Sequence, residues 1–140
     1  MTSTLPDFVP PMLAKLGKAF DSAEHLFEIK WDGTRALAYG EGGRYRMLNR
    51  QRRVLVERYP EFSFLAELEA GCVLDGEVVV MEDGKPSFRG MLQREQGRGE
   101  RRFRELANAL PATYVVFDLV YRRYESLENR PLHERRAELE

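Results

Sequence analysis

Short β-prone runs separated by glycine-containing turns constrain this chain more than any other feature of its sequence. Residues 34–39 and 44–48 flank the segment Gly-Glu-Gly-Gly at 40–43, whose glycines permit the positive φ angles of a hairpin. A later apolar run turns at Asp83 and Gly84, a dipeptide that favours tight hairpins. Because helix-like segments interrupt these runs only singly, the pattern predicts an α+β fold of antiparallel β-sheets with flanking helices.

The other elements follow from periodicity and from the placement of proline. Residues 26–30 alternate apolar and polar side chains, which predicts a half-buried strand. The apolar runs 72–74 and 78–81, which flank Asp-Gly-Glu at 75–77, predict buried strands. The run 114–121 is also strongly β-prone, and Asp118 inside it requires a polar partner. Helices are predicted at residues 60–71, 100–110 and 131–140.

Composition limits the chain to one domain or part of one. With 140 residues, 43% of them hydrophobic, it can bury one moderate core. The 22 Lys and Arg against 23 Asp and Glu leave a net charge of −1, so no overall field indicates a polyanionic partner. Arginine-rich stretches at 44–58 and 89–104 suit phosphate, although a solvated face of mixed charge also explains each stretch taken alone.

Cysteine usage and hydropathy indicate the compartment. Cys72 is the only cysteine, which excludes an intrachain disulfide and fits a reducing environment. No apolar run approaches the length of a membrane span. We therefore expect a cytoplasmic protein with no membrane partner.

Residues 30–35, Lys-Trp-Asp-Gly-Thr-Arg, place an amine, an acid, a flexible glycine and a guanidinium around the end of the predicted strand 26–30. Chance would produce K-x-D-G-x-R in on the order of one in several hundred chains of this length. The density of these groups indicates a phosphate-handling site. The competing interpretation is an exposed lysine beside a turn in which Asp32 and Arg35 are simply paired.

The hexapeptide resembles the first motif, K-x-D-G, of the covalent nucleotidyltransferases, which comprise DNA ligases, RNA ligases and messenger-RNA capping enzymes. Residues 74–79 resemble the third motif of this superfamily, and residues 114–119 resemble the motif that follows it. Residues 11–14, 27–33 and 131–136 look specifically like bacterial ATP-dependent DNA ligases of the end-joining type. The likeness covers nearly the whole chain.

This resemblance implies the fold, the domain and the reaction. Residues 1–140 would form the N-terminal portion of the ligase adenylation domain, a partial ATP-grasp-like nucleotidyltransferase fold. The later E-G and K-x-K motifs and the oligonucleotide-binding (OB-fold) domain of the family do not occur in this sequence. Lys30 would attack the α-phosphate of ATP to form lysyl-AMP, and the AMP would pass to a DNA 5′-phosphate for nick sealing in DNA repair.

The resemblance also implies roles for the side chains around the lysine. Glu28 and Ile29 would contact the adenine, and Arg35 would hold the ribose or a phosphate. Asp32 and Gly33 would shape the turn between them.

Three more residues are assigned by their position in the later motifs. Glu77 would bind the ribose or a magnesium ion, because hard oxygen ligands suit this metal; its competing interpretation is a salt-bridged strand acid. Phe117 would stack on the purine, whereas an aromatic residue in an apolar strand is ordinarily part of the core. Arg50 is a further candidate for nucleotide contact, although Asn49 replaces the serine or threonine that usually precedes it.

The implied cofactors are ATP and Mg²⁺, and the implied partners are nicked or broken double-stranded DNA and the remaining half of the ligase catalytic domain. Without that half, we expect impaired sealing and self-association through exposed sheet edges. One alternative is a capping enzyme or RNA ligase, which differs in nucleotide or acceptor. The other is a non-catalytic module that binds DNA or nucleotide through its arginine-rich stretches.

Overall fold

A single antiparallel sheet organises the protein in the computed structural model, which describes residues 4–140. The strands run in the order β2-β1-β3-β5-β6, and β4 pairs with the far end of β3. They are β1 (Thr34–Gly40), β2 (Tyr45–Asn49), β3 (Val73–Glu82), β4 (Lys85–Pro86), β5 (Ala112–Arg122) and β6 (Glu125–Ser126). The helices are a 3₁₀ helix (Pro60–Glu67), α1 (Phe88–Gln96), α2 (Glu100–Ala109) and α3 (Leu132–Leu139).

The predicted fold class and both predicted hairpins are confirmed. Gly42 and Gly43 adopt φ of 70° and 81° in the turn between β1 and β2, a conformation that glycine reaches without strain. The second turn has Asp83 and Gly84 at φ of 53° and 75°, and it joins β3 to the short β4. β1 pairs with β2 along one edge and with the long central strand β3 along the other.

Strand alternation divides the side chains of the sheet between two faces. One face carries Ala36 and Ala38 of β1 and packs against Phe62 and Leu65 of the 3₁₀ helix in the larger core. The opposite face carries Leu37 and Tyr39, which pack with Val9 and other residues near the N-terminus in a smaller core. Arg35 lies on this second face by alternation, just beyond the part that the smaller core covers.

A buried ion pair ties the 3₁₀ helix, α1 and β5 together. The guanidinium of Arg94, with 0% of its side chain exposed, donates to both carboxylate oxygens of Glu61 and to the Leu110 carbonyl at 2.7 Å. Glu61 also accepts the backbone N–H of Ala112 at 2.9 Å. Burial alone would raise the pKa of Glu61, but the hydrogen bonds from Arg94 and Ala112 outweigh it and lower that pKa.

The predicted strand at residues 26–30 is wrong. These residues form no ladder with any strand among residues 4–140, and Phe27 and Ile29 are exposed. Alternation alone does not make a strand, because the backbone groups need a neighbour to pair with. Lys30 consequently lies on an irregular segment that leads into β1.

Three helix predictions hold and one helix was missed. The segment beginning at Pro60 is a 3₁₀ helix, in which Phe62 and Leu65 share a face because they are three residues apart. Phe64, which lies between them in the sequence, is exposed. The unpredicted α1 begins at Ser87, whose hydroxyl accepts the Gly90 N–H at 2.9 Å as an N-cap.

Asp118, the acid inside β5, has the polar partner that the sequence required. Arg135 of α3 donates to both carboxylate oxygens of Asp118, at 2.8 and 3.1 Å. This pair fastens α3 to β5. Among residues 4–140, no helix has the length and apolar character needed to cross a membrane.

Candidate active site

A cavity of about 1060 Å³ lies where the segment before β1 meets the second face of the sheet. Its walls come from that segment, from β1, β3 and β5, from the loop after β2, and from the end of α1. Eight of the nine predicted site residues line it: Glu28, Ile29, Lys30, Gly33, Arg35, Arg50, Glu77 and Phe117. Asp32 does not line the cavity, although it lies beside Lys30.

Lys30 presents its amine to the cavity with little protein around it. Its side chain is 82% exposed, and its Nζ lies 3.4 Å from the equally exposed Asp32 carboxylate. A weak ion pair of this kind is easily exchanged for a bound ligand. The amine is therefore accessible to a molecule in the cavity.

Gly33 anchors the lysine segment to the sheet. Its backbone N–H donates to Glu77 Oε2 at 3.0 Å, which joins the start of β1 to the middle of β3. A Cβ atom at this position would overlap the Val78 carbonyl, so only glycine allows the two strands to approach this closely. Burial raises the pKa of Glu77, while the Gly33 N–H and the charge of Arg35 act in the opposite direction.

Arg35 is held rigidly on the floor of the cavity. Its Nε and Nη2 donate to the two carboxylate oxygens of Asp75, both at 2.7 Å, and Nη2 also donates to the Met12 carbonyl at 2.9 Å. The hydrogen bond to Asp75 raises the pKa of Arg35, which keeps the guanidinium charged. The same guanidinium lies 5.0 Å from the centroid of the Phe117 ring.

Glu28 lines the cavity and is paired with α3. Its carboxylate lies 2.7 Å from the Arg136 guanidinium, so one side of the cavity is tied to the last helix of the chain. Ile29, next to it, has 73% of its surface exposed. Arg50 lies on the loop after β2 and is also exposed.

Sequence reasoning did not single out several residues that shape this cavity. Asp75 belongs to the third-motif segment, and its spacing of two from Glu77 puts both acids on one face of β3, so this signal was available. Thr34, whose hydroxyl donates to Glu95, gave no signal. Arg53, Arg58 and Arg98 lay inside the arginine-rich stretches but had no feature that separated them from their neighbours.

The carboxylates of the cavity could coordinate a magnesium ion only together with phosphate oxygens of a bound substrate. Among residues 4–140 there is no group of three metal-ligating side chains. The acids that line the cavity are Glu28, Glu77 and Glu95. Mg²⁺ is commonly held by one or two carboxylates together with substrate phosphates, so a single protein acid such as Glu77 is compatible with it.

Related sequences come from bacterial ligases. Residues 11–140 match the family model described as ATP dependent DNA ligase domain. The chain is 35% identical to DNA ligase C of Mycobacterium tuberculosis, over 94% of this chain and 37% of that protein. It is 38% identical to the multifunctional non-homologous end joining protein LigD of Pseudomonas aeruginosa, over 97% of this chain and 16% of that protein.

The fold is similar to that of solved ligase structures. A mycobacterial DNA ligase D complexed with ATP and MES superposes with a TM-score of 0.64 and 33% identity, covering 80% of this chain and 34% of that one. The ligase domain of LigD from M. tuberculosis gives the same values. This chain thus spans well under half the length of each of these relatives.

Proposed function

The chain belongs to the ATP-dependent DNA ligase family, and from this premise we propose that it transfers AMP from ATP to Lys30 as the first step of DNA ligation. The observation that carries the proposal is the convergence of Lys30, Arg35, Glu77 and Phe117 on one cavity. These residues come from three separate places in the sequence, since Lys30 and Arg35 belong to one motif. A convergence of this kind is expected if a single ligand contacts all of them.

In the proposed first step, Lys30 Nζ attacks the α-phosphorus of ATP. A nitrogen–phosphorus bond forms, the bond from this phosphorus to the oxygen that bridges to the β-phosphate breaks, and pyrophosphate leaves. The amine gives up one proton to solvent. Covalent capture of the AMP divides one difficult reaction into two easier ones.

In the proposed second step, an oxygen of a DNA 5′-phosphate attacks the same phosphorus and breaks its bond to Lys30. The amine recovers a proton and is ready for another ATP. The neighbouring 3′-hydroxyl of the nick then displaces AMP and seals the strand. The DNA acceptor is inferred from the family, because the relatives are named as DNA ligases and end-joining proteins.

The other side chains of the cavity would bind and orient the nucleotide. Arg35, fixed by Asp75, would hold the ribose or a phosphate in one position, and Phe117 would offer the ring face that Arg35 leaves open to the purine. Glu28 and Ile29 would contact the adenine edge, and Arg50 would reach the nucleotide from the loop after β2. Glu77 would contact the ribose or hold Mg²⁺, which supplies charge neutralisation on the phosphates when bound.

The relatives contain a further part of the ligase catalytic domain, beyond the region that matches this chain. We propose that efficient sealing also requires that part. In the family that part contributes the K-x-K lysines, which stabilise charge on the phosphates during transfer. The nucleophile and its anchors are nevertheless all present within residues 28–117. We place the protein in the cytoplasm, since a single cysteine fits a reducing compartment.

The proposal is tested by intact-mass analysis after incubation with Mg²⁺ and either ATP or GTP. We expect an added mass of one AMP, which Lys30→Arg abolishes because a guanidinium keeps the charge but is a poor nucleophile. Lys85→Ala, which removes an exposed lysine of β4, is the matched control and should label normally. A GMP adduct would favour a capping enzyme instead.

A second candidate is a non-catalytic module that binds DNA or nucleotide, which the arginines of the cavity wall favour. This candidate predicts steeply salt-dependent DNA binding with no covalent adduct. Labelling should therefore also be attempted after adding, as a separate chain, the part of a related ligase's catalytic domain that lies beyond the matched region. An adduct that appears only then supports the ligase proposal, and none under either condition supports the binding module.

A further inference from the structure

We infer that Arg53, Arg58 and Arg98 form a phosphate-binding subsite in the cavity wall, separate from the residues proposed to hold the nucleoside. The inference rests on the proposed function for the identity of its ligand. That ligand is a phosphate of the reaction's own substrates, either the β- and γ-phosphates of ATP or the 5′-phosphate of the DNA. Arg53 and Arg58 lie in the connection between β2 and the 3₁₀ helix, and Arg98 lies between α1 and α2, so only the fold brings these two segments to one cavity.

Arg58 is the fixed centre of this subsite. Its Nη1 donates to the carbonyls of Arg94, Glu95 and Gly97 at 2.8, 2.8 and 2.9 Å, at the C-terminal end of α1. Its guanidinium also lies 5.0 Å from the centroid of the Phe103 ring. Nε and Nη2 donate no hydrogen bond within residues 4–140, and this edge of an arginine is the fork that matches two phosphate oxygens.

The loop after β2 directs Arg53 and its neighbour to different places. Asn49 Oδ1 accepts the backbone N–H groups of Gln51 and Arg53, both at 2.9 Å, which fixes the turn. Arg52 adopts a φ of 66° and stacks over Phe8 at 4.6 Å, whereas Arg53 lines the cavity. The loop therefore selects one of two adjacent arginines for the cavity wall.

No carboxylate neutralises these three cations. Arg53, Arg58 and Arg98 form no ion pair within 4.0 Å among residues 4–140. The three acids of the cavity already have other partners, because Glu28 pairs with Arg136, Glu77 accepts the Gly33 N–H and Glu95 accepts the Thr34 hydroxyl. Like charges gathered in one cavity repel each other unless an anion joins them. A phosphate group would supply the negative charge and the acceptor oxygens that these arginines lack.

The subsite is tested by two pairs of binding measurements in a Lys30→Ala background, where no covalent adduct can form. The first pair compares ATP with AMP, which lacks the β- and γ-phosphates. The second compares nicked duplexes that carry a 5′-phosphate or a 5′-hydroxyl at the nick. The test variants are Arg53→Ala with Arg98→Ala, and separately Arg58→Lys, which keeps the charge but loses the fork. Arg52→Ala is the control, because it removes a positive charge from the same loop as Arg53 but from a side chain that does not line the cavity.

We expect the double variant to reduce at least one of the two affinity ratios by roughly tenfold, the value of one lost charge-assisted hydrogen bond. A fall in the ATP-to-AMP ratio assigns the subsite to the triphosphate, and a fall in the phosphate-to-hydroxyl ratio assigns it to the DNA end. Arg58→Lys should lower the same ratio, and Arg52→Ala should leave both ratios unchanged.

The subsite would be overturned if the Lys30→Ala parent bound ATP no better than AMP and the 5′-phosphate duplex no better than the 5′-hydroxyl duplex. It would also be overturned if the test variants kept both affinity ratios of the parent, or if Arg52→Ala lowered these ratios as much as the test variants do. The proposed function fails on a different observation, the absence of an AMP adduct on Lys30. The two proposals can therefore stand or fall separately.

Discussion

Asp75 is the residue on which the geometry of the cavity depends most. It is only 4% exposed in its side chain, and it holds Arg35 through both carboxylate oxygens. Arg35 in turn lies against Phe117, so the acid orients two of the proposed ligand-binding groups at once. Asp75 itself does not line the cavity and would act only by positioning Arg35.

Replacing Asp75 with Asn should therefore damage both stability and nucleotide binding. Loss of the charge leaves Arg35 without its partner at a largely buried site, which costs about 3 kcal/mol in free energy of unfolding. Urea denaturation measures this cost, and the KM for ATP in the labelling reaction should rise. Arg101→Ala, which removes a solvent-exposed ion pair with Glu105, is the control and should change neither. Unaltered labelling in a folded Asp75→Asn variant would contradict the positioning role.

A second prediction for a single residue concerns Gly33. Gly33→Ala places a Cβ against the Val78 carbonyl, pushes β1 from β3 and breaks the hydrogen bond to Glu77. We expect a loss of about 1–3 kcal/mol in stability, as in other overpacked sites, together with weaker AMP labelling. Gly17→Ala is the control, because a Cβ there meets no atom within 4 Å. Equal thermal midpoints for the two variants would show that the close approach is not required.

The sequence indicated the candidate site side chains more readily than the contacts that hold such side chains in place. Lys30, Arg35 and Glu77 were singled out as candidates because they belong to the motifs, and all three line one cavity. Arg58 was not found, since its role depends on the end of α1, 36 residues further along the chain. Local patterns contain no information on such a contact.

Among the elements, the 3₁₀ helix and α1 depend on the Arg94–Glu61 pair. The pKa of Glu61 is lowered in the folded protein, so its contribution to stability is fully present above its unfolded value of 4.5. That contribution disappears as the pH falls through the lowered folded pKa, where the carboxylate becomes protonated. The junction of 3₁₀ helix, α1 and β5 is therefore an acid-labile part of the fold.

Glu61→Gln tests this dependence. At neutral pH the variant leaves Arg94 buried without a counter-charge, so we expect it to lose about 3 kcal/mol in free energy of unfolding. The difference between parent and variant should shrink as the pH is lowered below 4.5. Urea denaturation of both proteins, from neutral pH to below 4.5, measures this difference in free energy of unfolding. A difference that stays constant with pH would mean that the pair does not control acid stability.

Element prediction failed where the decisive information was tertiary. Residues 26–30 have the alternation of a strand, but no neighbouring strand within residues 4–140 pairs with them. Helix α1 was missed because Gly90 and its arginine neighbours suggested an irregular segment; the glycine is required because a Cβ would press on Val80 of β3. Long, strongly patterned elements such as β3 and β5 were predicted correctly, because extended runs of β-branched and aromatic residues strongly favour a strand.

At the scale of the whole molecule, β5 has one hydrogen-bonding edge that is largely unpaired among residues 4–140. It pairs with β3 along most of its length, but its other edge pairs only through Tyr121 and Arg122 with the two-residue β6 among the described residues. Unpaired strand edges are templates for pairing with another chain.

We therefore expect the isolated chain to self-associate through this edge. Light scattering coupled to sizing chromatography should show a mass that rises with concentration. Thr113→Lys places a charge on the exposed strand and should shift the equilibrium towards monomer. Phe88→Ser, which alters an exposed aromatic of α1, is the control and should have no such effect. A constant monomer mass at every concentration would refute the expectation.

The identity of the nucleophile is the central claim, and locating the AMP by peptide mapping tests it most directly. The chain has four lysines: Lys15, Lys18, Lys30 and Lys85. After incubation with ATP and Mg²⁺, we predict that fragmentation mass spectrometry finds one AMP, on the peptide that contains Lys30 and on no other. An AMP on any of the other three lysines, or one that persists in Lys30→Arg, would contradict the account.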